Sequence, residues 1–144
     1  MPKFHTEIVN NQPIITVCVT DPQIEVKSLN ELQRNSFPAL IDIGASSSVI
    51  SHNVVEKLNL KPCGQTSAFS VSHEVVVNTY NASIGIPVSE LDENNNPICH
   101  HVKHFNLLVS EMPVLHNRFD VLIGMDIIQS CILIIHNNLC IFSY

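Results

Sequence analysis

The stretch "FPALIDIGASSSVIS", Phe37 to Ser51, carries an aspartate to the end of an apolar run and then turns through Ile43, Gly44 and Ala45 into three serines. The run "FPALIDI" is short and nearly all apolar, a length that suits a buried strand better than a helix. Asp42 stands among Leu40, Ile41, Ile43 and Val49. Burying an unpaired carboxylate costs several kcal/mol, or else drives the group to its neutral form. The placement therefore calls for a partner that makes it tolerable.

Outward from this stretch, most segments read as short strands. "PIITVCV" (Pro13 to Val19) is rich in β-branched residues, and "EVVVNTY", "ASIGIPV", "FNLLVS", "FDVLIG", "CILIIH" and "LCIFSY" follow in order. The last two flank Asn137 and Asn138 and predict a closing hairpin, because asparagine tolerates the positive φ of tight turns. Two segments predict helices. "SHNVVEKLNL" (Ser51 to Leu60) spaces Val54, Val55 and Leu58 on one face, with Ser51 or Asn53 as N-cap. "MDIIQS" (Met125 to Ser130) suits a single turn capped by Asp126. The tract "LDENNNPICHHVKH" (Leu91 to His104) reads as a polar surface loop, since three asparagines and a proline are turn formers.

The totals narrow the function classes. A chain of 144 residues is about one domain and can bury roughly 68–70% of its unfolded surface. With 45% hydrophobic and only 14% charged residues it is a globular chain. A net charge of −6 with Lys and Arg scattered singly argues against nucleic acid and anionic membrane as partners. The five cysteines are odd in number and follow no CxxC spacing, which predicts reduced thiols in a cytoplasmic protein. The N-terminus lacks the apolar core of a signal peptide. The greasiest stretch, Val121 to Ile135, contains Asp126 and Gln129 and falls short of the about 20 apolar residues that span a bilayer.

Two motifs, in order, resemble those of the retropepsin-like (retroviral-type) aspartic peptidases. In the first, Leu40 and Ile41 stand as the apolar pair, Asp42 as the acid, Gly44 as the glycine and Ala45 as the small residue. In the second, "VLIGMDII", Leu122, Ile123 and Gly124 resemble the family's late apolar-apolar-Gly segment ahead of a helix. The resemblance implies an all-β acid-protease barrel with one or two short helices, one lobe per subunit. It implies a single domain over residues 1–144, in which 1–36 form an N-terminal strand region without an assigned role. A strand there that pairs with "LCIFSY" across a dimer is the family-style expectation.

The same resemblance implies an aspartic endopeptidase that cuts extended, apolar peptide segments. Peptide hydrolysis needs a base to activate water and an acid for the leaving amine. Two carboxyl groups held about 3 Å apart cannot both ionise, so the pair serves both roles. The chain has no second Asp-x-Gly; Asp21, Asp92, Asp120 and Asp126 all lack the following glycine. The resemblance therefore implies a homodimer with Asp42 of each subunit on the two-fold axis. Ile43, Gly44, Ala45 and Ser46 would form the active-site loop, and Leu122, Ile123 and Gly124 would brace it. Such a site takes no cofactor and no metal, and its partners are a second copy and a peptide or protein substrate.

The chain departs from the family at two places. Ile43 stands where the family has Thr or Ser, whose hydroxyl bonds across the dimer axis, and isoleucine makes no such bond. The flap is expected in Thr66 to Tyr80, with Ser70, Val71, Ser72 and His73 where flaps usually carry glycines. These departures support the alternative of a catalytically degenerate module that dimerises or binds peptides; an unrelated β-barrel binding module is the third option. Plainer roles stand beside the chemical ones. Asp42 could cap its own turn through the N–H groups of Gly44 and Ala45. Ser46, Ser47 and Ser48 read as turn hydroxyls, since no GxSxG elbow is present. Cys99, His100, His101 and His104 match no zinc spacing and read as a solvated loop. Asp126 reads as a helix cap, and Asp120 as a turn or salt-bridge residue.

Overall fold

Paired asparagines start the architecture. In the computed structural model, which describes residues 3–24, 29–70, 72–94 and 97–143, Asn10 and Asn11 both adopt positive φ (52° and 60°). They close a two-residue hairpin between β1 (Lys3–Val9) and β2 (Gln12–Thr20), with Val9 facing Gln12. Asparagine is among the few residues that visit this region at low cost, and such a turn matches the right-handed twist of its strands.

The chain then passes through α1 (Leu29–Arg34), β3 (Ser36–Ile41), β4 (Val49–Ile50) and α2 (His52–Leu58). It continues through β5 (Gly64–Ser70), β6 (His73–Leu91), β7 (Pro97–Glu111) and β8 (Val121–Ile123). The last elements are α3 (Met125–Ile128), β9 (Ile132–His136) and β10 (Leu139–Ser143). All strands join one sheet in the order β5-β6-β7-β4-β8-β3-β2-β1-β10-β9. β6 also pairs with β2, Cys18 facing Gly85 and Val19 facing Ile84, so the strands β6-β7-β4-β8-β3-β2 close on themselves. Closure removes the free edges of those strands and makes a barrel-like interior. The fold class is all-β, as expected.

That interior is the core. Phe37, Ala39 and Ile41 are buried at every second position of β3, the alternation of a half-buried strand. Val17 and Val19 of β2, Ile84 and Ile86 of β6, Val121 and Ile123 of β8, and Val54 and Ile127 of the helices complete it. Gly85 is where β6 crosses β2, and a Cβ there would lie 2.5 Å from Cys18 Sγ and 2.6 Å from Val102 Cγ1. β10 seats Phe142, fully buried, and pairs with β1 of the same chain, Phe4 facing Phe142. The N-terminal strand region thus meets "LCIFSY" within one protomer.

Several expectations need correction. A third helix, α1, was not predicted; six residues of mostly polar character show too little periodicity to be read. "EVVVNTY" and "ASIGIPV" are one 19-residue strand, β6, because Asn81 lies outward on a continuous ladder. The supposed loop Leu91 to His104 is in large part β7, whose Val102 faces Pro87 and whose His104 faces Gly85. β6 offers an antiparallel partner along this length, with a register shift between Glu90 and Leu91, and the ladder outweighs the turn-forming composition. The side chains of Cys99 and His100 lie outside the described residues. His101 and His104 are three positions apart on a strand and therefore point to opposite faces. Among the described residues no helix is long and apolar enough to cross a membrane.

Phe142→Ala should destabilise the protein by about 3–5 kcal/mol, the cost of an aromatic-sized core cavity. Urea unfolding of variant and wild type checks this, with an unchanged slope and a lowered midpoint as the expected result.

Candidate active site

β3 ends at Ile41 because the next residue turns its own backbone. Asp42 Oδ1 accepts a hydrogen bond from Gly44 N at 2.8 Å, a local turn that competes with the sheet ladder. Ala45 N donates at 3.3 Å to the Asp42 carbonyl, so only one of the two capping donors expected for the carboxylate reaches it. The glycine serves space here and not positive φ, which no described glycine adopts. A Cβ on Gly44 would sit 3.2 Å from Asp42 Oδ1. Asp42 is half-buried and Ile43 is 65% exposed. The expected apolar enclosure of Asp42 is therefore incomplete within one chain, since Ile43 lies out on the surface beside it.

The loop is fastened from below by the second motif. β8 runs parallel to β3, with Leu40 facing Leu122 and Ile41 facing Ile123, and Asp42 N donates to Ile123 O at 3.0 Å. On its other side β8 pairs antiparallel with β4, Val49 facing Leu122. Gly124 packs directly under the loop: a Cβ there would come within 2.5 Å of Ser47 C and 2.6 Å of Ser47 O. Met125 N donates to Ala45 O at 2.8 Å. The positions of Leu122, Ile123 and Gly124 are thus beneath the Asp42 turn.

The sequence did not reveal what locks this arrangement. Ser48 is fully buried, and its Oγ donates to Asp126 Oδ1 at 2.7 Å while accepting from Gly124 N at 3.0 Å. Ser48 N donates to Asp126 Oδ2 at 2.8 Å. Asp126 is therefore a clamp between α3 and the loop; the N-cap position of α3 is Gly124. Asp120 does comparable work beside it, accepting from Ser51 Oγ at 2.7 Å and from Asn53 Nδ2 at 3.3 Å. Ser51 is the N-cap of α2, its side chain accepting from Val54 N. Ser48 and Asp126 stand 78 positions apart, so no local pattern could have paired them. Ser46 is exposed.

Thr66 to Tyr80 falls on the β5–β6 hairpin, with Ser70 facing His73 across its tip; Val71 lies outside the described residues. Phe69, 83% exposed, hangs from this hairpin over a groove of about 290 Å³. Val49, Leu122, Met112, Val114 and Phe119 line it, and the rings of His116 and Phe119 stack at 4.6 Å. This apolar groove adjoins the strands that carry the Asp42 turn. The thiols make poor competitors for chemistry. Burial pushes Cys18 and Cys140 up from the usual thiol range and Cys131 up to about 11, so these three stay protonated at neutral pH.

Asp42 is thus held in an Asp-x-Gly turn that a parallel strand and an apolar-apolar-Gly segment brace inside a closed β fold. Residues 28–127 match the family described as aspartyl protease, and the chain belongs to that family. Its fold is retropepsin-like. A retropepsin-like aspartic protease from Rickettsia conorii, known from a crystal structure, superposes with a TM-score of 0.61 at 16% identity, over 99% of this chain and 90% of its own. EIAV protease, complexed with the inhibitor HBY-793, superposes with a TM-score of 0.51 at 17% identity, over 87% of this chain and 92% of its own. At these identities the likeness is one of fold. No curated protein sequence matches the chain.

Ser48→Ala should strand the Gly124 N–H and remove one hydrogen bond to the Asp126 carboxylate, while the bond from Ser48 N stays, costing about 1–3 kcal/mol. Thermal unfolding checks the loss, and Ser48→Thr should recover part of it by keeping the hydroxyl.

Proposed function

We propose that the protein is a homodimeric aspartic endopeptidase in which Asp42 of each subunit forms the catalytic dyad. One observation carries the reading: Asp42 stands half-buried in a rigidly stitched turn, next to an isoleucine that is 65% exposed, and the chain offers no second turn of this kind. A second copy would cover Ile43 and bring the missing carboxyl. The two acids would share one proton, one activating water and the other protonating the leaving amine. Gly44, Ala45 and Ser46 would shape the loop, and Leu122, Ile123 and Gly124 would brace it, with no cofactor. The apolar groove under Phe69 supports an extended substrate with an apolar side chain beside the scissile bond. The unpaired cysteines Cys18, Cys63, Cys131 and Cys140 support a reducing, cytoplasmic setting.

The edge of the sheet supports the dimer. β9 is its outermost strand at one end, and Ile132, Ile134 and Ile135 on it are each about half exposed. The strand has no lysine or proline to discourage pairing. A two-fold operation would place β9 against its twin and pair their open backbone edges, with the isoleucines of the two strands side by side. The whole chain would then act as one lobe of a two-lobed enzyme. The alternative, a degenerate module that binds peptides or dimerises without cleavage, draws on Ile43, which cannot form the cross-axis hydrogen bond.

Asp42→Asn should abolish cleavage of a mixed peptide library between about pH 4 and 7.5, with the fold and the dimer intact. Turnover retained in that variant would sink the dyad, and absence of turnover in a dimeric wild type would favour the degenerate module. Ile134→Asp should yield a monomer in sedimentation and lose turnover with it; a stable, active dimer would move the interface elsewhere.

A further inference from the structure

The wall of the apolar groove leaves the sheet at Glu111, the last residue of β7. Ser110 and Glu111 still pair with Val49 and Ile50 of β4, and Met112 N donates to Ile50 O at 2.8 Å. Residues 113–118 are exposed and belong to no strand or helix until buried Phe119. The hold on Glu111, together with the Met112 N–Ile50 O bond, is thus the last anchor before Pro113 and Val114 enter the groove.

Glu111 is held by two side chains from different elements. The buried Tyr80 of β6 donates its hydroxyl to Glu111 Oε2 at 2.9 Å, and Glu111 Oε1 lies 2.8 Å from His52 Nδ1 at the start of α2. The other ring nitrogen, His52 Nε2, lies 3.2 Å from Glu56 Oε1. A neutral imidazole has one N–H and serves one of these carboxylates; the imidazolium serves both. The charged or titratable groups facing the pair are thus Glu56 from α2 and Tyr80 from β6, with Asp120 engaged one residue away by Ser51 and Asn53. The hydrogen bond that His52 donates to Glu111 is the main cause that holds His52 above its ordinary 6.5, partial desolvation opposes it, and the charges of Glu56 and Glu111 add to it.

We propose that the His52–Glu111 pair is a proton-controlled strut that tightens the groove wall Met112–Val114 in its peptide-accepting position and loosens it when the imidazole loses its proton and its one remaining N–H is shared between Glu111 and Glu56. The proposal rests on the groove being the peptide site. His52 and Glu111 are positioning residues and touch no substrate. The sign follows from the raised value for His52: the stabilisation is fully present below about pH 6.5 and is lost as pH rises through the higher folded value. Because His52 is exposed, the effect on peptide affinity is bounded at about two- to fivefold.

The chain has three methionines, Met1, Met112 and Met125, so methyl-13C methionine labelling reads the wall directly. Between about pH 5.5 and 8.5 the Met112 methyl should titrate with the His52 imidazole in wild type and stay flat in His52→Gln and in Glu111→Gln. A blocked Leu-Phe-Phe-Val peptide should bind wild type about two- to fivefold more tightly at the acid end than at the alkaline end, and His52→Gln without that dependence. A Met112 methyl indifferent to the His52 proton, or a His52→Gln protein with the wild-type pH profile, would overturn the strut. Coupled titration with no peptide binding at any pH would instead overturn the groove as the peptide site.

Discussion

The double hydrogen bond between Ser48 and Asp126 is the constraint on which the site depends. A fully buried hydroxyl and a half-buried carboxylate satisfy each other, and the same hydroxyl takes up the Gly124 N–H. Leaving any of the three unpaired would cost about 1–3 kcal/mol. The loop that carries Asp42 therefore cannot drift away from α3 without stranding them. Gly124 makes the contact possible, because any side chain there would collide with the Ser47 backbone. A turn that would otherwise be a mobile surface loop is thus fixed to the barrel at Asp42, Ala45 and Ser48.

This rigidity has a functional reading. The Asp42 carboxylate is presented on a turn held by backbone and side-chain bonds that need no ligand, while Ile43 and the β9 isoleucines stay exposed. Under the proposed function, one chain would supply a rigid half-site and an apolar surface for its twin. The remaining wall of the groove, after Glu111, has fewer such bonds, and its anchoring through Tyr80 and His52 is of a kind that protons can alter.

Much of this was legible in the sequence where the signal was local. The short apolar run "FPALIDI", the Asp42-x-Gly44 turn, the apolar pair before Gly124, the Ser51 cap and the Asn137 hairpin are all patterns within a few residues. What was missed depends on contacts between distant parts of the chain. Ser48 finds Asp126, and Ser51 finds Asp120, only once β8 lies between β3 and β4. The first half of β7 was read as a loop because the asparagines before it and Pro97 suggested turns, whereas β6 supplied a partner for Pro97 to His104. The enclosure expected around Asp42 was read from neighbours in sequence, and Ile43, 65% exposed, does not contribute to it within the chain.

The claim that Asp42 works with its own twin is tested most directly by mixing chains. Wild-type protein at fixed concentration is equilibrated with increasing Asp42→Asn protein, and peptide cleavage is followed. If each site needs one Asp42 from each subunit, random pairing leaves about half the activity at an equimolar ratio and about a quarter at threefold excess. Activity that stays constant per wild-type chain at every ratio would contradict a dyad shared between subunits.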